Sequence, residues 1–279
     1  MKITCWGARG SIAVSGKEYV KYGGDTTCME ITSRDGDVII IDGGTGMRRL
    51  GNKLLASGTK TCSVLFTHAH WDHLMGFPFF KPIYLKGTKI GMYGCPYAQA
   101  SVKDVIARAM AAPYFPVDYG QLAAEFTYHG VCDASFEIGP VRITPVQLSH
   151  PNQGLGFRFE EDGKRFVFLT DNELTLRHPG GGEYTDYLRF SEGADLLVHD
   201  AEYTAEQYAM TRGWGHSVYT DALRLARESG VRRFGLFHHN QDRSDEDLDR
   251  IVADCSRIAA EERSSLQCFA AEAGREIIL

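Results

Sequence analysis

Apolar runs of strand length recur along the chain and are separated by turns or by segments with helical spacing. Such runs cover residues 29–32 and 38–41, and again residues 157–160 and 165–169, and each pair flanks an Asp-Gly turn. An Asp-Gly dipeptide between two short apolar runs is typical of a β-hairpin. The pattern therefore predicts two antiparallel hairpins, one in each half of the chain.

Single strands and helices fill the intervals between the hairpins. Short apolar runs predict strands at residues 63–66, 196–198, 234–237 and 276–279. Helical spacing predicts helices at residues 47–56, 101–112 and 219–229, and a last helix through Glu261 that Ser244 caps. Because no linker rich in Pro, Gly or Ser interrupts this alternation, it predicts a single α/β domain over residues 1–279.

Composition and charge narrow the classes of partner. Of the 279 residues, 43% are hydrophobic and 24% are charged, which is typical of a soluble globular protein with a sizeable core. The net charge is −6, and no cluster of Lys or Arg runs along the chain. A large nucleic acid is therefore a poor partner, since non-specific binding to a polyanion needs a basic surface.

The cysteine content and the absence of long apolar runs predict the cellular compartment of the protein. The seven cysteines are odd in number and form no C-x-x-C motif, which favours reduced, mostly buried thiols. No run resembles a signal peptide or approaches the length of a membrane span. We therefore expect a cytoplasmic protein with no membrane partner, and we leave a homodimer open.

Candidate chemistry concentrates in residues 67–73, which read Thr-His-Ala-His-Trp-Asp-His. His68, His70, Asp72 and His73 fall within six positions directly after a predicted strand. Imidazole and carboxylate groups are the ligands of zinc and similar divalent ions. A strand that delivers a ligand-rich loop into a turn predicts a metal centre at this point.

Further candidate ligands stand where later apolar runs end. They are His150, Asp171, the pairs His199-Asp200 and His238-His239, and His216 within a Gly-Trp-Gly-His-Ser segment. A structural histidine is the simpler interpretation of any one of them taken alone. Together with the cluster at His68, they are typical of a site at the rim of a packed sheet.

The H-x-H-x-D-H pattern and the later His, Asp and His resemble the metallo-β-lactamase superfamily over nearly the whole chain. The resemblance implies an αββα sandwich, in which two facing mixed β-sheets carry helices on their outer sides and the site lies at one sheet edge. It also implies two divalent metal ions, with zinc favoured and manganese or iron as alternatives. The implied ligands are His68, His70 and His150 for one ion, Asp72, His73 and His238 for the other, and Asp171 as a bridge. Asp42 matches a conserved acidic position of that superfamily and is expected to support the histidine loop.

One branch of the superfamily fits better than the others. Residues 198–203 and 215–217 resemble segments of the tRNase Z-like and cyclic phosphodiesterase branch, where an acidic residue holds a histidine over the scissile phosphate. The resemblance implies that Asp200 orients His216, and that both act in catalysis together with Asp171. Glu202 departs from the threonine that is usual in this branch. Asp171 stands where many true β-lactamases have a metal-binding cysteine.

The resulting hypothesis is a dinuclear metal-dependent phosphodiesterase that cleaves a small, cyclic phosphodiester. A metal-bridging hydroxide would attack phosphorus, since metal coordination lowers the pKa of water from about 15.7 to about 7, and His216 would stabilise or protonate the leaving group. The alternatives are a tRNase Z-like RNA endonuclease, a thioesterase or lactonase, and a non-catalytic binding module. Only residues 151–170 separate His150 from Asp171, too few for the long RNA-gripping arm of the tRNA-processing enzymes.

Two weaker candidates concern substrate contacts. Arg9 lies in an N-terminal stretch that resembles small bacterial cyclic phosphodiesterases, and it is either a phosphate contact or an ordinary surface residue. Residues 77–130 are rich in aromatics, including Tyr97, and those around Tyr114 and Phe115 could stack on a base or cover a dimer contact. Asn240-Gln241 departs from the Asp-Pro that this branch usually has after the paired histidines.

Overall fold

The computed structural model describes residues 1–95 and 101–279, and the strands of this part of the chain form two seven-stranded sheets. The first sheet contains β1 (Lys2–Gly7), β2 (Cys28–Thr32), β3 (Val38–Ile41), β4 (Thr61–Leu65), β5 (Lys89–Gly94), β6 (Glu125–Gly130) and β14 (Glu276–Ile278). The second sheet contains β7 (Phe136–Ile138), β8 (Val141–Gln147), β9 (Leu155–Glu161), β10 (Lys164–Leu169), β11 (Leu196–Asp200), β12 (Arg233–Phe237) and β13 (Gln267–Ala270).

The two sheets share one pattern of strand pairing. The first has the order β14-β1-β2-β3-β4-β5-β6, and the second has the order β7-β8-β9-β10-β11-β12-β13. When the strands of either sheet are counted in the order given, the first three neighbouring pairs are antiparallel and the last three are parallel. The sequence shows no internal repeat, so this correspondence between the two halves is visible only in the structure.

Helices connect the strands and cover the outer faces of the sheets. They are α1 (Met47–Ser57), α2 (Trp71–Leu74), α3 (Val102–Ala109), α4 (Tyr184–Ser191), α5 (Ala205–Thr211), α6 (Tyr219–Glu228) and α7 (Asp245–Glu261), with short 3₁₀ turns at Lys17–Tyr19, Phe77–Phe79, Lys81–Tyr84 and Tyr119–Gln121. Parallel neighbours need such crossover connections, whereas short turns join the antiparallel pairs β2–β3, β7–β8 and β9–β10.

The central core lies between the two sheets. Ile31, Ile39 and Leu65 of the first sheet pack there with Phe157 and Phe166 of the second, and all five side chains are buried. Side chains alternate along a strand, so Ile40 of β3 points the other way, toward a second apolar cluster that includes residues of α1 and α3. A third cluster joins the second sheet to α4, α6 and α7. This layering confirms the predicted αββα sandwich.

The predicted local elements are present, with shifted ends. Met29 pairs with Ile41 across the first predicted hairpin, and Phe166 pairs with Phe159 across the second. The hydroxyl of Ser244 accepts from the backbone N–H of Asp247 and caps α7 as expected. Among the described residues, no helix is long and apolar enough to cross a membrane.

The prediction for the cysteines is wrong for two of the seven. Cys95 and Cys132 form a disulfide, whereas Cys5, Cys28, Cys62, Cys255 and Cys268 are free. β5 and β6 are parallel neighbours whose last residues, Gly94 and Gly130, lie side by side. This pairing brings together the two cysteines that follow the strands, although 37 positions separate them. Spacing rules based on C-x-x-C do not detect such a pair.

Candidate metal centre

Strand ends from both sheets place the candidate ligands at one edge of the sandwich. The loop after β4 in the first sheet carries His68 and His70, and α2 follows it with Asp72 and His73. In the second sheet, His150, Asp171 and His238 follow β8, β10 and β12, and Asp200 ends β11. These four strands run in the same direction, so their carboxyl ends meet at the same edge.

The side chains form two adjoining groups that share one carboxylate. In each group, one ligand atom per residue lies within 4.8 Å of the others. The first group is His68, His70, His150 and Asp171, and the second is Asp72, His73, Asp171 and His238. The structure thus brings together all seven residues that the sequence proposed as metal ligands, with Asp171 in the shared position.

Hydrogen bonds fix which nitrogen of each histidine faces the centre. Nδ1 of His73 lies 2.8 Å from Asp42 Oδ2, and Nδ1 of His150 lies 2.9 Å from the carbonyl oxygen of Gly215. Nδ1 of His238 lies 2.8 Å from Glu202 Oε2. Each acceptor holds its Nδ1–H, so the neutral form of the ring presents the lone pair of Nε2 to the centre. This arrangement, in which a carboxylate or carbonyl supports a histidine from behind, is general at protein metal sites.

The buried Nε2 atoms of His68 and His73 have no hydrogen-bond partner among the described residues. The Nε2 atom of His73 instead lies 3.3 Å from Asp72 Oδ2 and 3.3 Å from Asp171 Oδ1. Leaving a buried polar atom unsatisfied costs about 1–3 kcal/mol. Divalent cations at the two groups would give each of these imidazoles a partner and would offset the two carboxylates, so these residues fit metal binding.

Coordination requires neutral imidazoles and ionised carboxylates, and the two carboxylates and His150 meet this condition. Burial would raise the pKa of Asp171, but His238 and His73 hold it well below its usual range. Burial likewise opposes ionisation of Asp72, and His73 and His238 again keep its pKa well below normal. Burial lowers the pKa of His150 to about 3, so this imidazole is neutral. Burial opposes protonation of His73 and His238, but the neighbouring carboxylates, Asp72 and Asp171, raise the pKa of both rings well above the usual value, so each ring would release a proton when an ion binds.

Unusual backbone conformations occur at three positions of the site. Asp42, Asp171 and His238 have φ values of 63°, 52° and 56°. Asp, Asn and His tolerate this left-handed region better than other residues do, and such strain is common at functional sites. Glycines also allow close packing here: a Cβ at Gly215 would lie 2.1 Å from Nδ1 of His150. The fold therefore holds the ligand positions at a cost in local strain.

Asp42 and Thr67 support the histidine loop, as expected from the sequence. Thr67 donates its backbone N–H to Asp42 Oδ1 over 2.8 Å and its hydroxyl to Asp42 Oδ2 over 2.7 Å. The same Oδ2 accepts from His73, and Asp42 belongs to neither ligand group. The buried carboxylate thus connects β3 to the loop that carries His68 and His73.

The predicted contact between Asp200 and His216 is present. Nδ1 of His216 lies 2.8 Å from Asp200 Oδ2, and its ring stacks on that of His238 at 4.5 Å. Burial opposes protonation, but Glu202 and Asp200 raise the pKa of His216 to about 9. Asp200, His216 and His238 form a third group of atoms within 4.8 Å of one another. His216 therefore stands directly beside the proposed metal ligands.

Two supporting carboxylates were not found from the sequence. Glu202 accepts from His238, and its other oxygen accepts from Asn240. Glu173 accepts from the hydroxyl of Tyr208 and from the backbone N–H groups of Gly213 and Gly215. For Glu202 the sequence did contain a signal, because a glutamate stands there in place of the threonine that is usual in this branch. Glu173 gave none, because these three partners lie 35 to 42 positions away along the chain.

Arg9 contradicts both of its sequence interpretations, because it is neither a surface residue nor a phosphate contact. Its side chain is fully buried. Its guanidinium donates to the carbonyl oxygens of Gly23, Asn240 and Arg243. These contacts join the N-terminal loop to the segment that follows His238. Arg9 is therefore a structural residue behind the site.

Several other candidate residues make contacts that indicate a structural role. His239 bonds the carbonyl oxygen of Ala271, and His199 bonds that of Asp200, so neither belongs to a ligand group among the described residues. Phe115 packs edge-on against Phe79, at 5.6 Å between ring centres. Tyr114 is exposed, and Tyr97 lies outside the described residues.

Comparisons with known proteins agree with this architecture. The model of the family described as the beta-lactamase superfamily domain matches residues 37–239. Ribonuclease Z of Oceanobacillus iheyensis is 21% identical over 240 residues, covering 71% of this chain and 78% of that protein. The metallo-beta-lactamase fold protein YhfI of Bacillus subtilis superposes with a TM-score of 0.71 at 18% identity, covering 99% and 98% of the two chains. A diphosphatase of the PhnP family superposes with a TM-score of 0.70 at 17% identity, covering 100% and 97%.

Proposed function

Since the chain belongs to the beta-lactamase superfamily, we propose that it is a metal-dependent phosphodiesterase acting on a small phosphodiester. One observation carries the proposal: the Asp200–His216 pair lies against the two ligand groups that share Asp171. Two cation positions with a histidine beside them suit hydrolysis of a phosphate ester, because cations can stabilise the attacking and leaving oxygens and the histidine can supply a proton. The names of the relatives, which include ribonuclease Z and a diphosphatase, support phosphorus chemistry.

The roles of the ligands follow from the two groups. His68, His70 and His150 would hold one divalent ion, Asp72, His73 and His238 would hold the second, and Asp171 would contact both. When bound, such ions polarise a phosphoryl oxygen and lower the pKa of a coordinated water. Glu202 and Asp42 would keep His238 and His73 in their coordinating orientation.

His216 would assist departure of the leaving group. Its Nδ1–H is committed to Asp200, so Nε2 is the nitrogen that can face a substrate. As the phosphorus–oxygen ester bond breaks, a proton on Nε2 passes to the departing oxygen, and Asp200 stabilises the charged form of the ring before the transfer. Asp200 thus acts through His216 as a positioning group.

A small diester fits this chain better than a transfer RNA. The interval between His150 and Asp171 consists of the β9–β10 hairpin, which leaves no room for an RNA-gripping arm. The net charge of −6 also disfavours a long polyanion. An RNA endonuclease is nevertheless the second candidate, because the curated relatives that match the chain include ribonuclease Z.

Initial rates on a substrate panel test the proposal. Zinc- and manganese-loaded protein would be assayed on bis(p-nitrophenyl) phosphate, 2′,3′- and 3′,5′-cyclic nucleotides, a precursor tRNA and an acyl thioester. We expect metal-dependent hydrolysis of the small diesters that is lost in Asp171→Asn. This variant is preferred to alanine because Asn tolerates the positive φ of position 171. Turnover of the thioester alone would overturn the proposal, and cleavage of the tRNA alone would favour the second candidate.

A further inference from the structure

A cavity of about 270 Å³ opens beside His216 on the side formed by α5 and the following loop. Its walls include Trp214, Met210 and Tyr203. Trp214 and Met210 are 63% and 82% exposed, which is unusual for large apolar side chains so close to a buried polar centre. Polar side chains of the loop after His239, Gln241 among them, form the remaining wall.

We propose that this cavity binds the alcohol part of the phosphodiester, and that this alcohol carries an aromatic or heteroaromatic ring, as a nucleoside does. The inference rests on the proposed function and adds the class of substrate to it. Trp214 would be the residue that stacks on the ring. Nothing in the sequence singled out Trp214 beyond its position in the segment that leads to His216.

The position of His216 connects the cavity to the chemistry. His216 lines the cavity, and it also lies with Asp200 and His238 in a group of atoms within 4.8 Å. A diester whose phosphorus lies at the ligand groups has one ester oxygen at His216. The remainder of the alcohol on that oxygen then extends into the cavity, toward Trp214.

The loop that carries Trp214 is held in place from both sides. Gly213 and Gly215 donate their backbone N–H groups to the same buried carboxylate, Glu173, over 2.8 and 2.9 Å. The carbonyl oxygen of Gly215 bonds Nδ1 of His150. An exposed indole on an anchored loop loses little conformational freedom when a ring stacks on it. Such stacking contributes about 1–3 kcal/mol for a nucleobase.

The polar side of the cavity suits a neutral ring with hydrogen-bond donors. Nε2 of Gln241 donates to Asp242, and the Oε1 atom of Gln241 is buried without a hydrogen-bond partner among the described residues. The exposed carboxylate of Asp242, which lines the same wall, can accept from an exocyclic amino group. The residues that line the cavity, all in the described part of the chain, include Glu202 and Asp242 but no Lys or Arg. A second phosphate on the alcohol would therefore be unfavourable.

The other cavity at the site is too small for a ring. It lies beside His68 and is lined by Phe66, Cys95 and Val102 among others, with a volume of about 30 Å³. A volume of this size holds about one or two water molecules. Phe115 of the 77–130 insert packs on Phe79, and no described residue of that insert lines the cavity at Trp214. The cavity at Trp214 is therefore the better place for a base.

Steady-state kinetics with base-bearing and base-free substrates test the proposal. Trp214→Ala should raise KM for a 2′,3′-cyclic nucleotide by about 5- to 150-fold, the range that corresponds to 1–3 kcal/mol, and leave kcat within about threefold. Glycerol 1,2-cyclic phosphate, which has no base, should show no change in kcat/KM. Trp214→Phe should restore most of the affinity. Tyr114→Ala removes another exposed aromatic that could stack on a base and should leave KM unchanged, whereas a rise in KM there and not in Trp214→Ala would overturn the proposal.

Binding of adenosine to the metal-loaded protein, measured by calorimetry, separates this proposal from the proposed function. Adenosine binding that Trp214→Ala weakens would support the cavity even if no diester were hydrolysed, and only the proposed function would then fail. Hydrolysis of diesters with equal effects of Trp214→Ala on base-bearing and base-free substrates would overturn the cavity assignment. Absence of adenosine binding together with an unchanged KM in Trp214→Ala would also overturn it.

Discussion

His238 donates its Nδ1–H to Oε2 of Glu202 across 2.8 Å, and both side chains are buried. The second oxygen of Glu202 accepts from Asn240 at 2.9 Å, so the carboxylate is held at both ends. A carboxylate behind an imidazole makes the opposite nitrogen a stronger metal ligand. The glutamate that weakens the resemblance of the sequence to its nearest branch therefore reinforces the proposed metal centre.

Replacing Glu202 with glutamine should weaken metal binding without unfolding the protein. The amide keeps the size of the side chain and the contact with Asn240, but it removes the charge that supports His238. Loss of such a supporting group costs about 10- to 100-fold in metal affinity. Competition with a chromogenic chelator measures the change, and Glu192→Gln, an exposed substitution, is the control. Equal affinities in the two variants would show that Glu202 does not support a metal ligand.

Removing metal should lower the thermal stability of the wild-type protein. The ligands come from both sheets, so an ion would bind the folded state and not the unfolded chain. Metal at 100 times its Kd stabilises a protein by about 2.7 kcal/mol. Differential scanning fluorimetry with and without EDTA checks this. Asp171→Asn should show a much smaller response, and a response as large as that of the wild type would argue against Asp171 as the shared ligand.

His216→Ala should lower kcat on a small phosphodiester by about 10²- to 10⁴-fold, the range for loss of a general acid. Metal content should stay at the wild-type level, because His216 is not among the seven proposed ligands. Asp200→Asn should lower kcat in the same direction by weakening the contact that orients His216. Rates measured alongside metal analysis distinguish these effects. An unchanged kcat in His216→Ala would exclude its proposed role.

Glu173→Gln should reduce activity indirectly, by loosening the segment that leads to His216. Its two carboxylate oxygens accept from Tyr208, His178, Gly213 and Gly215. An amide nitrogen in place of one oxygen cannot accept and would face donors. If Glu173 acts through His216, the double variant with His216→Ala should be no slower than His216→Ala alone. Fully additive losses in this cycle would assign Glu173 an independent role.

Asp195, which lies far from the candidate metal centre, should make the free energy of unfolding depend on pH. It accepts the backbone N–H of Arg165 and faces Lys164 and Arg232. Burial would raise the pKa of Asp195, but these partners lower it below the usual value. Its contribution is therefore complete above the unfolded pKa of about 3.9 and is lost as the pH falls through the folded value.

Asp195→Asn should accordingly destabilise the protein by about 1.5 kcal/mol at pH 7, and the difference from wild type should shrink below about pH 4. Urea unfolding of the metal-free protein at pH 7, 5 and 3 measures this. A difference that is constant across the three pH values would mean that the charge of Asp195 contributes nothing to folding.

The sequence was sufficient to predict those features of the fold and the site whose signal lies within a short segment. Alternating apolar residues set the hairpins, and the spacing from His68 to His73 identifies one loop with four candidate ligands. Ligands at strand ends could be proposed because parallel strands end at a common edge. The resemblance to a known superfamily then supplied the layers of the sandwich.

Features that depend on distant pairing could not be obtained in this way. Cys95 and Cys132 meet because β5 and β6 pair in parallel, which no rule on cysteine spacing contains. Arg9 looked like a surface residue because its partners, carbonyl groups near residues 23 and 240–243, are backbone atoms without a sequence signature. The exposed aromatic side chain that lines the cavity at His216 is Trp214, whereas aromatic enrichment pointed to Phe115, which packs on Phe79 instead.

The division of ligands between the sheets has a consequence for how the protein would acquire its metal. Neither half of the chain contains a full set: His68 to His73 follow β4 in the first sheet, and His150, Asp171 and His238 follow strands of the second. A nascent or partly unfolded chain with one sheet formed would hold an ion weakly and exchange it readily. Tight metal retention would therefore report that the two sheets have docked, and metal release would be an early sign of their separation.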